Sequence, residues 1–149
     1  MKNHFNRLFE FDRWANQQVY NTLTQHNVID DRILSLFSHV LWATGVWYKR
    51  IAKEEMIPSD PFGQMLYEEM QTRINSNYNN YAKLIEATDD FAATCTYKDL
   101  KGNTHTTALS DILTHVANHA TYHRGQIASR IKELGIAPPG TDYITFTRL

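Results

Sequence analysis

The chain has 149 residues, one domain (1–149) by the usual size relation and enough to enclose a core. A formal net charge of -1 argues against a nucleic-acid binder, which normally shows a basic face, and no apolar run approaches the roughly 20 residues of a membrane span. The single cysteine, Cys95, excludes an internal disulfide framework and suits a reducing compartment. Met1-Lys2-Asn3-His4-Phe5 leads into charged amphipathic sequence rather than a signal-peptide core, so the expected location is the cytoplasm.

Helical spacing begins at once. Phe5, Leu8, Phe11, Ala15, Val19 and Leu23 recur at three- and four-residue steps and predict a first helix over 2–25. Residues 27–31 form the turn, with Asp30 or Asp31 available as a cap. A second helix over 32–53 carries Ile33, Phe37, Val40, Trp47 and Ile51 as its main stripe. His39 lies outside that stripe, beside Leu36, Ala43 and Val46, so this helix is apolar over a wide arc and suited to two neighbours. Pro58, Pro61 and Gly63 mark a loop over 54–63. The third helix is expected over 64–88 on Leu66, Met70, Ile74, Tyr81 and Ile85, with Gln71, Asn75, Asn79 and Lys83 on a solvated side. From Phe91 to Thr107 the pattern changes: threonines and Tyr97 flank the turn Lys101-Gly102-Asn103, which predicts a short hairpin. Thr107 or Ser110 can cap a last helix running to about Leu134, where Gly135 stands at the position of a terminating glycine. The expected fold is all-α: a four-helix bundle with a short β-hairpin before the last helix.

That last helix carries His115, His119 and His123 at every fourth residue. Residues i and i+4 share a helix face, roughly 40° apart and about 6 Å along the axis, so two imidazoles can converge on one ion. All three cannot, because the outer two lie about 12 Å apart while a Zn–N bond is only about 2.0–2.1 Å. The apolar stripe of Leu109, Ile112, Leu113, Val116, Ala120, Ile127, Ile131 and Leu134 includes the angle of His123 and borders that of His119, whereas His115 falls outside it. The pair that can face the interior is therefore His119 and His123. A buried imidazole needs partners for its nitrogens, which a metal or core hydrogen bonds can supply. Periodicity alone does not turn His39 toward that pair.

The string Asn118-His119-Ala120-Thr121-Tyr122-His123-Arg124-Gly125-Gln126 resembles the signature of the DinB-like four-helix-bundle family. The opening Phe11-Asp12-Arg13-Trp14-Ala15-Asn16, the Ser38-His39-Val40-Leu41-Trp42 of the second helix, and the closing Thr141-Asp142-Tyr143 with Phe146 resemble it too. The resemblance implies three histidines around a divalent metal, one from the second helix and two from the last: His39, His119 and His123. It also implies zinc or nickel as the metal, and in the better-characterised members transfer of small thiols. Together with the broad apolar arcs it favours a homodimer over a monomer.

Three neutral imidazoles leave an ion one or more open positions and its full charge, the arrangement of a catalytic zinc site. Ala120 follows His119 where the HExxH motif requires glutamate, so a protease of that type is excluded. Two functions stay open: a metal-dependent transferase of a small thiol to an electrophile, or a hydrolase, and alternatively a non-catalytic metal-binding stress-response or interaction protein. A metal-free helical module survives if the histidines are core residues. Among the rest, His4, His26 and His105 read as surface residues, His115 as exposed or supporting, and Cys95 as an apolar filler. Trp42, Trp47 and Tyr48 read as core. Arg124 and Gln126 either orient ligands or bond along the helix surface, and Gly125 is expected to permit a close helix contact.

Overall fold

A computed structural model describes residues 1–149 as α1 (Lys2–Gln25), α2 (Asp31–Ala52), α3 (Tyr67–Ala87), β1 (Thr94–Lys98), β2 (Thr104–Ala108), α4 (Leu109–Glu133) and α5 (Tyr143–Phe146). The helices end where local chemistry closes them. At the end of α4, Gly135 takes φ +76°, and the N–H groups of Gly135 and Ile136 donate to Lys132 O and Ile131 O at 3.0 and 3.2 Å. This Schellman pairing satisfies carbonyls the helix leaves open. At the end of α1 Asn27 does the same at φ 46°, with Val28 N–H on Leu23 O at 3.0 Å. Asp30 caps α2, its Oδ1 accepting from Ile33 N–H at 3.0 Å.

Neither Thr107 nor Ser110 caps α4. Its first donors are taken by loop carbonyls instead, Leu109 N–H on Ala93 O and Ser110 N–H on Phe91 O, both at 2.9 Å. The segment leading into the hairpin thus doubles as the cap; the hairpin pairs antiparallel from Thr94↔Ala108 to Lys98↔Thr104, with Gly102 at φ +86° in its turn. α3 starts three residues later than the periodicity suggests, because the preceding residues bind α2: Met65 N–H donates to Ser38 Oγ at 2.9 Å and Gln64 Nε2 to Asp31 Oδ1 at 3.2 Å. Leu66, expected in the stripe, is exposed. Gln71 is not simply solvated either, since its amide bonds Gln17 of α1 at 3.0 Å.

α1 and α2 each pack between α3 and α4. The core is split. One apolar cluster joins Val19, Leu23, Phe37, Leu41, Met70, Ile127 and Ile131; the other joins Phe5, Phe9, Tyr81, Ile85, Leu113 and Val116. Along every long helix the residues between these clusters include buried polar ones: Asp12 and Asn16 on α1, Thr44 on α2, Asn77 on α3 and Arg124 on α4. A polar layer therefore crosses the bundle at mid-height. Asn77 donates to Leu41 O at 2.9 Å and Tyr81 OH to Thr44 O at 3.0 Å, so α3 is fixed to α2 through main-chain carbonyls. α5 returns over α1, placing Tyr143 and Phe146 against Phe11. No helix is long and apolar enough to cross a membrane.

Candidate metal centre

His119 and His123 stand one turn apart on α4, as their spacing requires, and the adjacent α2 brings His39 against them. His119 Nε2 lies 3.3 Å from His39 Nε2 and 3.2 Å from His123 Nε2, and the three possible ligand atoms all lie within 4.8 Å of one another. Two nitrogens bound tetrahedrally at about 2.0–2.1 Å from one ion would be about 3.3–3.4 Å apart. The two spacings to His119 match that value.

The other ring nitrogens decide which atoms carry lone pairs. His39 Nδ1 faces Pro61 O at 2.9 Å, and a carbonyl only accepts, so Nδ1 holds the proton. His123 Nδ1 likewise donates to Gln126 Oε1 at 2.7 Å. Both Nε2 atoms are then bare acceptors turned toward His119. His119 Nε2 can donate to one of them at most, which leaves converging lone pairs that a cation would satisfy together. Burial pushes the His119 pKa down to about 4, with further lowering from His123, His39 and His115. Burial also lowers His39, against the opposing pull of the Pro61 carbonyl. Both rings are therefore neutral at pH 7 and able to coordinate. No carboxylate or cysteine joins the group.

The loop after α2 forms one wall. Phe62 stacks on the His39 ring at 4.3 Å and 9°, and Trp42 lies nearly parallel at 6.0 Å while its Nε1–H donates to Ser59 Oγ at 2.8 Å. Trp42 is thus a wall of the site rather than a core residue. Trp47 is half-buried and sits edge-on to His115 at 5.2 Å. His115 is exposed and outside the converging group, though its ring is 5.6 Å from that of His119. His105 bonds Asp99 in the hairpin at 3.0 Å, and His4 and His26 are exposed at the ends of α1.

The sequence model of the DinB family matches residues 1–149. The chain belongs to the DinB family. Protein DinB of Bacillus subtilis (strain 168) is similar to it, 25% identical over 154 residues that cover 92% of this chain and 90% of that protein.

Two residues of the DinB-like string behave differently from expectation. Arg124, next to His123, turns away from the histidines and is 1% exposed. Its guanidinium pairs with Asp12 and donates to Asn16 Oδ1 and Thr121 Oγ1, each at 2.9 Å, while Asn16 Nδ2 donates to Asp12 Oδ2 at 3.0 Å. It anchors α4 to α1. Gly125 is exposed, and a Cβ there would meet nothing within 4 Å, so it permits no close helix contact. The tight position is Gly45, where a Cβ would come 3.3 Å from Asn77 Oδ1. Gln126 does orient a histidine, as above. Sequence reasoning missed the Pro61 carbonyl and the Phe62 ring. Their loop was visible as Pro58, Pro61 and Gly63, but its path over α2 was not.

Proposed function

We propose that His39, His119 and His123 hold one divalent ion, zinc or nickel, and that the site transfers a small thiol to an electrophile. The observation that supports this reading most is the convergence of three Nε2 atoms, two of them fixed as acceptors by Nδ1 donors to Pro61 O and Gln126 Oε1. When bound, an ion held only by neutral imidazoles keeps its charge and lowers the pKa of a water or thiol beside it.

The chain's own groups then have limited tasks. His39 and His123 are held in one tautomer and orientation by their acceptors. Phe62 and Trp42 line one flank of the site. No aspartate or glutamate stands in the group to act as base, so hydrolysis would lack an internal proton acceptor. A thiol needs none: with an ordinary pKa of about 8.5 it ionises readily beside a cation and loses its proton to solvent. The sulfur forms the new bond to carbon, and the electrophile's leaving group departs with its electron pair. The same lack of a base favours the second reading, a metal-binding bundle whose partner is another protein.

The test supplies a panel of cellular thiols with a chromogenic halide, under zinc, nickel and manganese in turn. Wild type should conjugate at least one thiol faster than His123→Ala. Equal rates throughout would leave the binding-protein reading. We also propose a homodimer, supported by the exposed Tyr143, Ile144 and Leu149 of the C-terminal segment; a monomer mass by light scattering would refute it.

A further inference from the structure

Beyond His39, α2 runs on past Trp42 and Trp47 to Arg50 and approaches the hairpin. Between the end of α2, the loop after it and β1 lies a cavity of about 560 Å³, within the ~300–1,000 Å³ range of small-molecule sites. Trp42 and Tyr97 supply aromatic wall, and Lys49, Arg50, Lys53 and Lys98 supply positive charge. None of these four cations has a carboxylate oxygen within 4.0 Å. Two acids share the lining, Glu54 and Asp99, but Asp99 is occupied. Its Oδ1 accepts from the N–H groups of Lys101 and Asn103 at 2.8 and 2.9 Å, and its Oδ2 from His105 and Asn103 Nδ2 at 3.0 Å.

Arg50 stands out among the four. Its guanidinium lies over the Trp47 ring at 4.7 Å and near the Tyr97 ring at 5.5 Å. It has neither an ion pair nor a side-chain hydrogen bond within the protein. Contact with the two rings holds the guanidinium without using its N–H groups, which leaves them available for bidentate recognition of an oxyanion. Cations at a helix C-terminus also complement the helix dipole. That accounts for Lys49 and Lys53, but not for a guanidinium held against two aromatic rings or for Lys98, which comes from a strand. The cavity reaches Trp42, one turn from His39, while Arg50 lies about 16 Å further along the axis than His39.

We propose that this cavity is an anion-recognition subsite in which Arg50 binds the carboxylate or phosphate end of a small molecule whose other end reaches past Trp42 to the three histidines. The second half rests on the proposed metal centre; the first does not. The first test is calorimetric titration with succinate, with inorganic phosphate and with uncharged succinamide, on wild type and on His123→Ala. At least one anion should bind saturably and alike to both proteins, and succinamide should not bind. Arg50→Met, which keeps the apolar stem, should weaken that binding about tenfold or more. If Arg50→Met misfolds by circular dichroism, the exposed pair Lys53→Gln/Lys98→Gln should still weaken it severalfold. Absence of saturable binding by both anions overturns the subsite. So does binding lost in His123→Ala yet kept in Arg50→Met, which would put the anion on the histidines' metal. Failure of the chain to hold metal leaves these arms unaffected. In the thiol assay, Arg50→Met should raise KM for 11-mercaptoundecanoate, long enough to span that distance, and leave it unchanged for the uncharged 11-mercapto-1-undecanol; equal shifts would overturn the span from Arg50 to the histidines.

Discussion

His123 and Arg124 are neighbours in sequence, yet they belong to two polar constellations of opposite character. Arg124 is closed in: its charge meets Asp12, and Asn16 and Thr121 take further donors, leaving only Nε of that side chain without a partner. His123 is half-exposed, and its Nε2 faces another imidazole nitrogen at 3.2 Å rather than a donor committed to it. The first arrangement uses its polar atoms to join α1 to α4. The second gathers acceptors and leaves them open. One helix thus presents a structural polar face and a ligand-ready one about 100° apart. Satisfaction of hydrogen bonds, rather than polarity or position in a motif, separates the two.

That contrast can be broken from either side. The largest effect is expected at the closed network. Asp12→Ala strands the Arg124 charge in the bundle and should cost about 3–5 kcal/mol in urea unfolding, whereas Asp12→Leu with Arg124→Met should restore most of it. A loss below about 1 kcal/mol would show that solvent reaches Arg124 after all.

At the open cluster the expected loss is of metal rather than of fold. Alanine at His39, His119 or His123 should lower zinc affinity by more than about 100-fold, beyond the ~10–100-fold typical of a supporting residue. The metal-free protein should keep its melting temperature. His115→Ala should leave metal content unchanged, and parallel loss there would show that the wrong histidines were chosen. Gln126→Ala sharpens the comparison, because it touches only the orientation of His123. It should cost about 10–100-fold in affinity, and an unchanged metal titration would mean that helix packing alone fixes the ring.

The smallest effect belongs to a second ion pair, Asp30 with Arg130, which joins the start of α2 to the end of α4 at 2.8 Å. Asp30→Ala removes the cap of α2 as well and should cost about 1 kcal/mol. The Arg130 hydrogen bond holds the Asp30 carboxyl below its usual range. Its contribution is therefore present above the unfolded value near 3.8 and fades as pH falls through the lower folded value. The stability difference between wild type and Asp30→Asn should shrink in acid, and a difference that grows below pH 4 would contradict the pair.

Much of this was legible in the chain. The period of apolar residues gave α1 its full extent and α2 to within a residue at each end, and the turn Lys101-Gly102-Asn103 located the hairpin. The four-residue step placed His119 and His123 together and set His115 aside, because spacing along one helix fixes angle and rise. The same logic failed for Leu66 and Leu134, which extend a stripe beyond the helix that would bury it. It also misjudged Gly125, since a glycine records only the absence of a side chain and not whether anything approaches.

By itself, then, the sequence determined the four long helices and the hairpin, the terminating glycine at Gly135, and one pair of imidazoles, while leaving the cap of α2 between Asp30 and Asp31. Only the tertiary structure decided that His39, 80 residues from His119, would complete the group, that Arg124 would turn inward to Asp12, and that Arg50 would lie against Trp47 and Tyr97. Periodicity specifies the direction a side chain takes from its own helix axis. It carries no information about which helix lies opposite, and a backbone acceptor such as Pro61 O has no side-chain identity for a sequence to reveal.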